Sequence, residues 1–170
     1  MSLAEFDPAE RFVAGTVGPP GQRAFFLQAR GARGLVSVSL EKQQVALLAE
    51  RIGDLLDRVG DDAAADVADN APLDSPIEDE FRVTTIGLAW DAGRDRVVVE
   101  CHDHDPDEET PEPPAAAVHS VRVVMTPGQA REFVRRSESL VAAGRPPCPF
   151  CGQPLDPQGH LCPRANGYRR

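Results

Sequence analysis

Three of the chain's four cysteines fall in the run CPFCGQPLDPQGHLC together with a histidine, and four soft donors so close together can enclose one metal ion. Cys148 and Cys151 form a C-x-x-C pair followed by Gly152. Two thiolates at that spacing share a tetrahedral ion, and the glycine lets the chain turn beneath it. His160 and Cys162 follow. In an extended segment, residues two apart face the same side, so both can reach an ion already held by the knuckle. The expected ligand set is Cys148, Cys151, His160 and Cys162, with Zn²⁺ as the cofactor. Cys101 or His102 would replace His160 if the middle of the chain folded back. Three thiolates and one imidazole close the tetrahedron and leave no position for water, so the ion is expected to be structural. Its role would be to fold residues 145–170, whose few apolar side chains (Phe150, Leu155, Leu161 and Tyr168) cannot hold them by burial alone.

The competing uses of a C-x-x-C pair fit less well. A redox dithiol needs a helix N-terminus to lower the first thiol's pKa, and Pro149, Gly152 and Pro154 oppose a helix there. A disulfide framework belongs to oxidising compartments, whereas the sequence shows neither a secretory leader nor an apolar run of membrane-spanning length. The expected localisation is cytoplasmic.

A second polar cluster, Cys101, His102, Asp103, His104 and Asp105, follows the strand-like run RVVVE. Continued strand geometry would turn His102 and His104 one way and Cys101 and Asp103 the other. Two imidazoles with Asp105 or Asp107 could then form an open site for Zn²⁺, Mn²⁺ or Fe²⁺, as a metal-dependent hydrolase requires. Against this, a strand end running into an Asp- and Glu-rich loop is ordinary solvated surface, and no H-E-x-x-H helix supplies a general base. No G-x-S-x-G elbow is present, and the GPPGQR segment lacks the phosphate-loop pattern and reads as a hairpin connection.

Charge separates the tail from the body. Lys and Arg number 14 against 26 Asp and Glu in residues 1–144, but 4 against 1 in residues 145–170, within a net charge of −9. An acidic body repels phosphate backbones, so broad nucleic-acid binding is not expected. The tail's Arg164, Tyr168, Arg169 and Arg170 make the alternative contact surface, with guanidinium donors and one flat ring for a protein pocket or a base. They could equally pair with the chain's own carboxylates.

These candidates must be positioned by two similar halves. The first offers RFVAGTV, RAFFLQA and GLVSVSL as short strands divided by Gly and Pro turns, then a helix over EKQQVALLAERIGDLLDRV. Val45, Leu48, Ile52, Leu55, Leu56 and Val59 recur at helical spacing, and Ser39 is a candidate cap with Gln43 or Gln44 in the first turn. The second half offers FRVTTIGLAW, RVVVEC and VHSVRVVMT as strands. A helix follows with Thr126 as N-cap, Pro127 at the first position, an inward stripe of Ala130, Phe133, Val134 and Leu140, and Gly144 as its stop. The predicted fold is α/β of the α+β type, with tandem βββα units, antiparallel sheet covered by helices, and a C-terminal zinc loop. Residues 1–60 form the first unit, 61–80 an acidic linker, 81–144 the second unit with an acidic loop at 101–117, and 145–170 the zinc-binding basic tail. Linker and loop are expected to be exposed, because their composition cannot offset the cost of chain ordering by burial.

The segments FDPAERFVAGTVGPPGQRAFFLQA, SLEKQQVALLAERI and PPCPFCGQPLDPQGHLCPRANGYRR together resemble an uncharacterised family of small actinobacterial proteins, over nearly the whole chain. The resemblance implies a genomic setting beside a histidine-phosphatase-like protein and a protein with distant phosphoinositide-kinase-like features, and it brings no catalytic residues. The combined expectation is a noncatalytic zinc-binding adaptor or regulatory module. Its partner would be another protein, with a phosphate-handling enzyme as the candidate class, and no membrane insertion is expected.

Overall fold

The computed structural model describes residues 2–19, 21–32, 34–105 and 118–143. Its elements are β1 (Ser2–Phe6), β2 (Arg11–Val17), β3 (Ala24–Gly31), β4 (Gly34–Leu40), α1 (Lys42–Arg58), β5 (Asp79–Arg82), β6 (Thr85–Asp91), β7 (Arg96–His102), β8 (Val118–Met125) and α2 (Pro127–Ala142). They form two four-stranded sheets, ordered β2-β3-β4-β5 and β1-β8-β7-β6. The α/β class and the two strand-then-helix repeats follow the hydrophobic periodicity.

Two expectations are corrected. Each repeat has four strands rather than three, and the sheets are mixed: β1 runs parallel to β8 and β5 parallel to β4, while the other pairs are antiparallel. The run FRVTTIGLAW is not one strand. It divides into β5 and β6, which belong to different sheets. The crossing occurs at consecutive amides: Val83 N donates to Ser39 O on β4 at 2.8 Å, and Thr84 N donates to His102 O on β7 at 2.8 Å.

Each half therefore lends its first strand to the sheet of the other, and the same bonds secure both exchanges. At the first, Ala9 N donates to Val124 O at 3.2 Å and Gln129 Nε2 donates to Ala9 O at 2.8 Å. At the second, Val83 N donates to Ser39 O and Gln44 Nε2 donates to Val83 O at 3.1 Å. Gln44 and Gln129 occupy the same helical position and also accept from their N-cap amides, Glu41 N at 2.7 Å and Thr126 N at 2.9 Å. One glutamine thus satisfies an orphan donor at the helix start and locks the exchanged strand. Thr126 caps α2 as its sequence position predicts, with Oγ1 accepting from Gln129 N at 3.1 Å. The α1 cap is Glu41 and not Ser39, whose backbone amide and hydroxyl instead donate to Asp79 at 3.1 and 2.7 Å.

The core draws on both sheets and both helices, including Phe6, Leu27, Leu40, Ile52, Val97, Val123, Met125 and Phe133. Val59, expected to extend the apolar stripe of α1, is exposed just past its end. The helices pack on each other, and α2 packs closely on β2 while α1 packs loosely on β6. Phe12 and Phe133 stack at 5.0 Å in the closer seam, an arrangement that contributes about 1 kcal/mol beyond burial. No helix among the described residues is long and apolar enough to cross a membrane.

Candidate functional site

Strand alternation on β7 turns Cys101 into the core and His102 away from it. The Cys101 side chain is 2 % exposed, and burial, with the charge of Glu100, pushes its thiol up to about 12. A thiol held neutral in this way is a poor nucleophile and a poor metal ligand. Cys101→Ser is accordingly expected to leave the zinc content of the chain unchanged by elemental analysis; loss of the metal would move a ligand role into the strand.

The expected grouping of His102, His104 and Asp105 is redrawn. His102 Nδ1 lies 2.8 Å from Ser120 Oγ on β8. His104 sits beyond the strand end, its ring edge-on to His102 at 5.5 Å, with Nδ1 2.6 Å from Asp103 Oδ1. The other Asp103 oxygen meets Nδ1 of His119, a residue that the spacing of the cluster does not reveal. Burial alone would push the Asp103 carboxyl up, but hydrogen bonds from the two imidazoles and their charge outweigh it and hold it below the usual carboxylate range. Nε2 of His104 and Nε2 of His119 are buried without a hydrogen-bond partner among the described residues. A carboxylate that orients two rings through Nδ1 leaves both Nε2 atoms available to an electrophile, the usual outer-shell arrangement of metal-bound histidine. Among the described residues, however, no group of three or more His, Cys, Asp or Glu could hold a metal ion. Asp107 and the rest of 106–117 lie outside the described residues.

The acidic linker proves to be a strap fastened by arginines. Arg11 on β2, 8 % exposed, donates to both Asp69 oxygens at 2.7 and 3.1 Å, to Asp74 at 3.2 Å, and to the carbonyls of Ala71 and Pro72. Arg136 on α2 is 9 % exposed and donates to the carbonyls of Ala14, Asp69 and Ala71 at 2.7–2.9 Å. Glu132 accepts from Asp69 N, and Gln28 exchanges two hydrogen bonds with the Asp74 backbone. Leu73 lies over Gly15, where an added Cβ would come within 2.4 Å of its side chain. The strap's residues are mostly exposed, as expected, but charge-assisted hydrogen bonds order them where burial could not. The hydrogen bond from Arg11 holds the Asp69 carboxyl below its ordinary range against an opposing burial effect.

The strap runs over the seam between α2 and β2, leaving a recess of about 140 Å³ lined by Gln129, Glu132 and Phe133 among others. The equivalent seam between α1 and β6, with Gln44, Leu47 and Leu48 at the matching helix positions, is a groove of about 600 Å³. Leu47 is 48 % exposed there, and Leu55, Ile86, Leu88 and Trp90 line the groove with it, together with Arg51 and Arg58. Hydrophobic periodicity does not distinguish the two seams.

The predicted zinc ligands Cys148, Cys151, His160 and Cys162, and the contact residues Arg164, Tyr168, Arg169 and Arg170, lie outside the described residues. The family described as a protein of unknown function, DUF3090, matches residues 4–162, spanning both repeats, the strap and the positions of all four expected ligands. The chain belongs to the DUF3090 family. No curated protein and no solved structure matches it.

Proposed function

We propose that this DUF3090 protein is a noncatalytic zinc-binding adaptor, cytoplasmic, whose duplicated body carries a metal-ordered basic segment that contacts a partner protein. The observation that carries this reading is where the positive charge of the body goes. Arg11, Arg30, Arg135 and Arg136 are engaged by the strap, Arg94 by Asp7 and Asp91, Arg82 by Glu41, and Arg122 by Glu5 and Glu100. With those seven of the body's fourteen Lys and Arg paired internally, and the body acidic as a whole, the region of net positive charge is residues 145–170, where four arginines face one aspartate in sequence. A closed Cys₃His zinc site at Cys148, Cys151, His160 and Cys162 would give that segment the fixed shape that specific recognition needs.

The resemblance to an actinobacterial family encoded beside phosphatase-like and kinase-like proteins supports a partner that handles phosphate. Affinity capture on wild-type protein and on the Arg164→Ala, Tyr168→Ala double variant tests the reading. The variant is expected to lose the captured partner, and an unchanged partner set would sink the tail surface. A nucleic-acid shift that requires the same residues would replace the protein partner by another class.

A second reading, a metal-dependent hydrolase, is favoured by the two unpartnered Nε2 atoms at His104 and His119. It ranks below the adaptor because no H-E-x-x-H helix or equivalent general base accompanies these histidines in the sequence. Titration with Zn²⁺ or Mn²⁺ of protein already holding its tail zinc separates the two. Adaptor chemistry predicts no further stoichiometric binding, whereas a second event abolished by His104→Ala and by His119→Ala would favour the hydrolase.

A further inference from the structure

The strand exchange, the helix caps and the seams repeat between the halves in the same order, and the strap is the next element in that order. It follows α1 and fills the seam of α2 with β2. Residues 144 onward follow α2 in the same way, and the seam of α1 with β6 is the open groove. We propose that residues 144–158 of this chain occupy the α1/β6 groove as the strap occupies its counterpart, with Leu155 against the apolar lining of the groove.

Three observations select this occupant. The tripeptide that anchors the strap, Pro72-Leu73-Asp74, recurs as Pro154-Leu155-Asp156, at closely matching distances past the ends of the two helices at Arg58 and Ala142. Arg51 holds the place on α1 that Arg136 holds on α2, and Arg136 is the side chain that grips the strap's carbonyls. Charge also agrees: residues 146–158 contain one charged side chain, Asp156, against Arg51 and Arg58 in the groove, while the tail's arginines fall at 145 and from 164 onward. The apolar lining fits Phe150 and Leu155, which otherwise have little to bury against. The counterpart is not identical. Glu100 stands where Gln28 grips Asp74, and Ala89 stands where Gly15 admits Leu73, so Leu155 and Arg51, rather than the aspartate, anchor the second strap and the leucine rides higher than Leu73 does.

The docking requires no partner, so failure of the adaptor reading leaves it standing and its own failure leaves the adaptor reading untouched. Trp90 is the only tryptophan of the chain and lines the groove, which makes it a direct reporter. In full-length protein its emission should be blue-shifted and slow to quench with acrylamide. Leu155→Ser should move the docked–open equilibrium about tenfold toward open, the factor that loss of one buried leucine side chain commands, read as a red shift and faster quenching. Tyr168→Ala, beyond the docked stretch, should leave the emission alone. From the other side of the contact, Leu47→Asp should speed chymotryptic cleavage after Phe150 in the full chain by a similar factor. Equal quenching of Trp90 in wild type and Leu155→Ser, with cleavage unaffected by Leu47→Asp, overturns the proposal. So does protection that appears only with rising concentration or on adding another protein, since the occupant would then be a second copy or a separate partner.

Discussion

Replacing Arg11 with alanine is expected to destabilise the protein by about 3 kcal/mol, because one side chain holds two carboxylates and two carbonyls in a partly buried site and its loss leaves them facing one another. For a chain of this length that lowers the thermal midpoint by roughly 6–12 °C. The strap should also become a protease target in the variant, since its own apolar content is too small to keep it in place. A midpoint within 1–2 °C of wild type, about the effect of an ordinary exposed ion pair, would mean that the network holds nothing.

The same network gives stability a defined acid limb. The Asp69 pKa is depressed in the folded state, so its contribution is fully present above the unfolded value of about 3.9 and is lost as pH falls through the lower folded value. Asp69→Asn should be less stable than wild type at neutral pH and should lose less stability on acidification below pH about 4. Urea midpoints at pH 7 and pH 3 read both effects, and a constant difference between the two proteins would remove Asp69 from the acid limb.

The second large effect concerns the tail. Wild-type protein should contain about one zinc per chain, and Cys151→Ser should contain none, since a tetrahedral site that loses one of its two knuckle thiolates loses its closed shell. The thermal transition of the body should stay near that of wild type, because its two sheets and two helices share one buried core. Trypsin should cut the variant quickly after Arg164. Retention of the metal in Cys151→Ser would show that another residue supplies the fourth bond. Freshly reduced wild-type protein without bound transition metal would dismiss the site altogether.

Local periodicity fixed much of this fold. Strands β2 and β4 and both helices lie where alternation and helical spacing place them, and Thr126 caps as its position before Pro127 requires. What local pattern could not carry was the exchange of strands. The alternation in FRVTTIGLAW continues across Val83 and Thr84, yet their amides bond to different sheets, and only a partner distant in sequence makes that so. β1 escaped notice because SLAEF is short and has no apolar run of its own; it is an edge strand that depends on β8 for its pairing.

The sites were legible to the extent that they were local. The four-donor motif and the His/Asp cluster are visible as spacing, but His119 joins Asp103 only through the register of β7 with β8, across the intervening acidic loop. The strap does leave one local signal. Arg136 falls on the buried face of α2, three residues after Phe133, and an arginine on an inward face requires acceptors that a nearby acidic segment can supply.

Metal dependence of partner capture tests the central claim most directly. Zinc-loaded wild-type protein and zinc-free Cys151→Ser are presented at equal concentration as bait, with equal thermal transitions of the body confirming that the fold is shared. The adaptor account predicts that the partner retained by wild type is lost from the zinc-free variant. An identical partner set on both would contradict it, because recognition would then belong to the body and not to a metal-ordered basic segment.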